Sequence, residues 1–180
     1  MKLSYQIGLV LWGLWLGCMP SYALTQVVKV HQLTVEGAQG VGEVIGTLTL
    51  EDTALGLKIT PSLTDIAPGL HGFHVHSNPA CGWANKNDKP VLGLAAGGHF
   101  DPLHSNQHRG PYEQDGHLGD LPPLYSDEQH KITGVVLAPR LTLDMIAQRS
   151  LIIHQYGDNF SDHPEPLGGG NARIACGIIR

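Results

Sequence analysis

The chain has 180 residues, of which 42% are hydrophobic, enough for one domain with a core of its own. Sixteen acidic against eleven basic side chains give a net charge of −5. No basic tract and no interleaving of basic with aromatic residues occurs, which argues against nucleic acid as a partner. Eleven histidines are the one marked departure from ordinary composition, and they point toward metal binding.

Lys2 precedes an apolar run over residues 7–16 that is too short to span a bilayer comfortably. Ser21-Tyr22-Ala23 then supplies small residues at the −3 and −1 positions. The pattern reads as a secretory signal peptide, residues 1–23, cut after Ala23, with residues 24–180 forming the mature domain. Two alternatives stay open. One is an uncleaved anchor. The other is lipidation at Cys18, because Leu16-Gly17-Cys18 is similar to the end of a bacterial lipoprotein signal, although Trp15 stands where leucine is usual. Cleavage would remove one charge, Lys2, giving −5 − 1 = −6. It would leave Cys81 and Cys176. An even pair in an exported chain is most simply a disulfide, the other reading being two unpaired buried thiols. The bridge would close a loop of 176 − 81 = 95 residues, worth about 4–5 kcal/mol in the chain-entropy account.

Residues 26–33 alternate and are rich in valine, which predicts a strand. Residues 37–42 are a glycine-rich turn. Residues 43–51 alternate again through Val44, Ile45, Leu48 and Leu50, and Asp52-Thr53 signals a turn. Residues 54–60 read as the hairpin partner, with Leu55, Leu57 and Ile59 on one face. Residues 61–68 break the pattern, and residues 70–76 form the next strand. From 77 to 128 glycine, proline, asparagine, aspartate and histidine dominate, a length of loop that is generally functional or tethered. Residues 131–137 alternate as a strand, 141–145 suggest another short piece, and 150–154 are a compact apolar run. Residues 158–171 form a second long loop, and 173–179 the last strand. Short strands with a turn signal every eight to twelve residues argue for an all-β sandwich or barrel.

Within this frame Gly69-Leu70-His71-Gly72-Phe73-His74-Val75-His76 stands out. On a strand, alternate side chains share a face, so His74 and His76 point the same way and their imidazoles can grip one metal ion, while His71 faces the opposite side. In the long loop His99, His108, His117 and Asp120 lie at spacings of nine, nine and three. Three histidines with one carboxylate suit tetrahedral zinc, and the absence of cysteine excludes a thiolate zinc finger.

The sequence resembles the copper/zinc superoxide dismutases, in particular their exported, periplasmic bacterial branch. The matching blocks are residues 69–76, Ala-Gly-Gly-His-Phe-Asp-Pro (96–102), Asp-Gly-His-Leu-Gly-Asp-Leu-Pro (115–122), Leu-Ile-Ile-His (151–154), Ser-Asp-His-Pro-Glu-Pro-Leu-Gly-Gly-Gly (161–170) and Ala-Arg-Ile-Ala-Cys-Gly-Ile-Ile (172–179). They run in family order over essentially all of residues 26–180. The resemblance implies an eight-stranded Greek-key β-barrel or sandwich, immunoglobulin-like, with two long functional loops. It implies one copper held by His74, His76, His99 and His154, and one zinc held by His99, His108, His117 and Asp120, with His99 bridging the two. Asp158 matches the carboxylate that links a copper ligand to a zinc ligand, and Arg173 the arginine at the mouth of the copper channel. His99 and Arg173 are the expected catalytic residues. Cys81 and Cys176 match the family disulfide, and His71 a histidine that braces backbone.

The same resemblance implies dismutation of superoxide anion to O2 and H2O2 in a monomer or homodimer, with no transmembrane segment in the mature protein. Imidazole suits both metals, whereas soft thiolates would favour Cu(I) and resist reoxidation, so an all-histidine copper set fits a redox catalyst better than a carrier. The alternative is an exported copper/zinc-binding or copper-delivery protein on the same fold, which would be expected to lack a copper ligand, the arginine or the zinc set. No role attaches to His31 or His130. His104 lies within the metal loop, but the bacterial spacing favours His108, and His163 is a lone loop histidine.

Overall fold

The computed structural model describes residues 24–180. The expected cleavage after Ala23 and the alternative at Cys18 lie outside the described residues. The valine-rich alternation at the start folds into a meander of β1 (Thr25–Ala38), β2 (Val41–Thr53) and β3 (Gly56–Leu63). There follow β4 (Gly69–His71), β5 (Phe73–His76), β6 (Ala84–Lys86), β7 (Lys89–Val91), β8 (Leu124–Ser126), β9 (Val136–Ala138), a single helical turn α1 (Leu143–Ile146), β10 (Arg149–His154) and β11 (Arg173–Ile179). Seven strands form one antiparallel sheet in the order β5-β10-β11-β1-β2-β3-β9, β4 pairs with β8, and β6 pairs with β7. The fold is all-β, as expected. With β4 and β5 counted as one strand interrupted at Gly72, and β8 beside it, eight segments make up the sandwich.

The long sheet curls, because side chains from both its ends meet in one core. Val28 and Val30 of β1, Leu48 and Leu50 of β2, and Ile59 of β3 pack with Phe73 and Val75 of β5 and with Leu151 and Ile153 of β10. The opposite face of β10, β11 and β1 carries a smaller cluster of Ile152, Cys176 and Leu33, roofed by Cys81 and Ala96 from the long loop. Leu33 lies three residues beyond Val30, so strand alternation turns it toward this second cluster while Val28 and Val30 face the first. Cys81 and Cys176 form the disulfide, with 5.7 Å between their Cα atoms, and tie the loop to β11.

Several local expectations are corrected. Leu55 lies in the β2–β3 turn and is exposed, so only Leu57 and Ile59 face inward. β3 runs through Pro61 to Leu63. Leu63 donates its N–H to the Ile132 carbonyl, and Pro61 shares its parity, so the donor that proline lacks would face a gap in the ladder beyond Val136. The strand expected over 141–145 is instead α1: Leu143 and Ile146 are buried three residues apart, and Met145, which alternation would turn inward, is exposed. Of the strand expected over 131–137, Ile132 makes an isolated bridge to Leu63 and the ladder begins at Val136. The β6–β7 hairpin has no apolar alternation to announce it. It turns at Asn87 and Asp88, both at positive φ, the conformation that short hairpins require.

Candidate metal centre

His74 and His76 alternate with the core residues Phe73 and Val75, so they leave the barrel core and face its outer side, as parity requires. β10 pairs with β5 so that Ile152 lies opposite His74 and Ser150 opposite His76, and His154 ends the same strand. The other edge of β5 is completed by the long loop. Phe100 donates its N–H to the Val75 carbonyl at 2.8 Å, Val75 donates to the Gly119 carbonyl at 2.8 Å, and Leu121 donates to the Phe73 carbonyl at 3.2 Å. These bonds set His99 against His76 and Asp120 against His74. The polar loop is therefore ordered by main-chain pairing to a strand edge as well as by the disulfide.

The structure brings His74, His76, His99 and His154 together as one buried group whose potential donor atoms lie within 4.8 Å of one another. A second such group contains His74, His99, His108 and Asp120. His117 falls just outside it: its Nδ1 is 3.5 Å from Asp120 Oδ1, against 3.0 Å for Nδ1 of both His99 and His108. Hydrogen bonds select the donor atoms. His76 Nδ1 donates to the Gly97 carbonyl at 2.9 Å and His154 Nδ1 to the Asn171 carbonyl at 3.2 Å, which leaves Nε2 of each as the lone-pair atom. His74 Nε2 and His108 Nε2 reach the two oxygens of Asp158 at 2.6 and 2.7 Å, which leaves Nδ1 of each. His74 and His99 thus belong to both groups, and His117 Nδ1 borders the second.

The two sets differ in charge. Burial, and then the neighbouring His99, push His74 and His76 well below the usual imidazole value and His154 down to about 4. Burial would also lower His108, but the carboxylates of Asp120, 3.0 Å from its Nδ1, and Asp158 outweigh it and raise the ring to about 9. Burial would raise both carboxylates, yet the imidazoles around Asp120, and His108 and His74 around Asp158, hold them well below the usual carboxylate range.

Gly168, from the triple-glycine run, has φ 78°, and a Cβ there would collide with Asp158 and stand 2.7 Å from His108 Nε2. Glycine is required because the loop backbone presses on this link. Arg173 is half-buried and donates to the carbonyls of Gly93 at 2.6 Å and Gly97 at 2.7 Å. Its charge contributes to lowering His76 and His154. His71 faces the carbonyls of His154 and Ala67 at 2.8 Å through its two nitrogens, so it braces backbone as expected. His104, His130 and His163 are exposed and outside both groups. Sequence reasoning missed Asp162, whose carboxylate accepts the His108 N–H at 2.9 Å and the Leu167 N–H at 3.1 Å, and the Gly97 carbonyl, shared by His76 and Arg173. The matching block at 161–170 was the only available signal for Asp162.

Nδ1 of His74, His108 and His117 and Nε2 of His76 and His154 are buried without hydrogen-bond partners. Five such atoms clustered around His99 would be costly unless each lone pair meets a cation, so the donor set fits two metal ions. A two-metal, histidine-rich centre on the outer face of a curled β-sandwich is the class that fold and site define. The family described as Copper/zinc superoxide dismutase (SODC) matches residues 44–179, and the chain belongs to it. It is 45% identical over 161 residues to the enzyme named Superoxide dismutase [Cu-Zn] of Photobacterium leiognathi, covering 89% of this chain and 93% of that one. The solved Cu/Zn superoxide dismutase of Brucella abortus superposes with a TM-score of 0.83 at 44% identity, over 87% of this chain and all of that one. The solution structure of the monomeric copper, zinc enzyme of Salmonella enterica gives 0.77 at 47% identity over 87% of this chain.

Proposed function

We propose that the chain dismutes superoxide, with copper at His74, His76, His99 and His154 and zinc at His99, His108, His117 and Asp120. The observation that carries this reading is that two buried donor groups share His74 and His99 while five buried ring nitrogens around them lack hydrogen-bond partners. When bound, copper supplies the one-electron change between Cu(II) and Cu(I) that oxidises one superoxide to O2 and reduces a second to H2O2, and zinc a positive charge that does not change.

The protein's part is to orient and to supply charge and protons. His99 Nδ1 lies on the Asp120 side, which leaves Nε2 as the atom that carries a proton to the reduced product. Asp158 fixes the rings of His74 and His108 relative to each other through their Nε2 atoms, and so spans both donor sets. Arg173, tied by its fork to two loop carbonyls, holds a positive charge beside His76 and His154 and draws the anion in, although the chain is acidic overall. Pulse radiolysis of protein loaded with copper and zinc tests the reading. Superoxide decay should accelerate in proportion to loaded protein, and decay no faster than with metal-free protein would overturn it.

Export to the periplasm through residues 1–23, with residues 24–180 as the working domain, belongs to the same reading and rests on the basic, apolar and small-residue pattern of residues 1–23. The mass of the mature N-terminus separates cleavage after Ala23 from lipidation at Cys18. Among the described residues no helix is long and apolar enough to cross a membrane. The monomeric Salmonella relative supports a monomer over a homodimer, and light scattering decides between them.

A further inference from the structure

We infer that Arg140 is the positioning residue of the zinc-side donors, holding the turn between His108 and His117 through its main-chain carbonyls. The inference rests on the reading of His108, His117 and Asp120 as zinc donors. Arg140 follows β9, more than twenty residues beyond that turn, and belongs to none of the sequence blocks that mark the family. Its Nε donates to the Pro111 carbonyl at 3.0 Å and its Nη2 to the carbonyl of His117 itself at 2.5 Å. Longer contacts run from Nη2 to Gly110 at 3.4 Å and from Nη1 to Gly116 at 3.5 Å. One half-buried guanidinium thus grips the turn at both ends.

The grip reaches the donors by a short path. Gly110 accepts from Arg140 through its carbonyl and donates its own N–H to Asp120 Oδ2 at 3.1 Å, beside the Arg109 N–H at 3.2 Å. At the other end the held carbonyl belongs to a proposed donor residue. Fixing the two ends therefore fixes where His108 and His117 present Nδ1 to Asp120 Oδ1.

Fork and charge make opposite contributions. Four carbonyls spread over three nitrogens need the planar five-donor guanidinium, which an ammonium with three donors on a flexible stem does not reproduce. A positive charge near Asp120, by contrast, opposes a cation there. A guanidinium stays charged in a protein, so what Arg140 adds to the site beyond charge is its shape.

The experiment follows zinc release from fully metallated protein to a chromophoric chelator, together with the visible spectrum of protein carrying cobalt in place of zinc. Arg140→Lys and Arg140→Met should both release zinc about tenfold faster or more, the range seen when an outer partner of a metal ligand is removed. Their cobalt bands should change, and copper content should stay unaltered. Val28→Ala, which loosens the barrel core on β1, should release zinc at the parent rate. Unchanged release in both Arg140 variants would overturn the inference, as would full rescue by lysine, which would make charge the useful property. Faster release in Val28→Ala that scales with its loss of stability, as in the Arg140 variants, would reduce Arg140 to a general stabiliser. The donor reading is checked separately: if His117→Ala retains zinc as firmly as the parent, that reading fails first.

Discussion

His74, His76 and His154 stand on β5 and β10, whereas His108, His117 and Asp120 arrive on a loop, and the two halves of the proposed metal centre meet at His99. The strand half is placed by ladder bonds that exist whatever is bound, and burial keeps its imidazoles neutral. The loop half is placed by a set of clasps: the disulfide, the Asp158 link, Asp162 and Arg140. It also carries carboxylates that raise His108 to about 9. The contrast teaches that a sheet supplies rigid donors without further expense of side chains, while a loop needs a second layer of residues to reach the same precision.

The contrast can be broken most severely from the strand side. His76→Ala should abolish superoxide decay above the metal-free background while zinc content, measured by atomic absorption, stays normal, and loss of both metals would show the halves to be inseparable. Removing the disulfide comes next. Cys176→Ser opens a loop of 95 residues and should cost about 4–5 kcal/mol in denaturant unfolding. Because the bridge anchors the loop, zinc should be lost before copper as denaturant rises.

A smaller effect sharpens the link between halves. Asp158→Asn should weaken zinc and copper binding together by about 10–100-fold in chelator competition. A loss confined to one metal would mean that Asp158 serves one half alone.

The pH dependence of the two halves should differ. Metal binding requires a free lone pair, so a protonated ligand must first release its proton. In metal-free protein His108 holds its proton up to about pH 9, so zinc affinity should rise roughly tenfold per pH unit up to that point. His154 is already neutral above about pH 4, so copper affinity should show no proton competition from it until the pH falls to that value. Titrating each metal against a chelator of known protonation between pH 5 and 9 reads both slopes, and equal slopes would erase the distinction. The smallest expected effect is none: His104→Ala should leave zinc stoichiometry unchanged, since this exposed residue lies outside both groups.

Legibility followed the range of the interaction. The meander was readable because side-chain alternation is local, and so was the shared face of His74 and His76, which needs only strand parity. Leu55 and residues 141–145 misled for the same reason. Alternation alone cannot tell a turn leucine from a strand leucine, nor show that the strand-like spacing of Leu141, Leu143 and Met145 runs into a helical turn.

The order of the histidines and their match to a family were in the sequence, and with them the pairing of Cys81 with Cys176 and the donor sets proposed for the two metals. The tertiary structure alone decided which nitrogen of each ring is free, because that depends on distant carbonyls such as Gly97 and Asn171. It alone set the loop along the open edge of β5, put Gly168 against Asp158, and brought Arg140 to the carbonyls of a turn far behind it in the chain. Each of these depends on groups that the chain brings together only by folding, and a local pattern of residues carries no record of such a meeting.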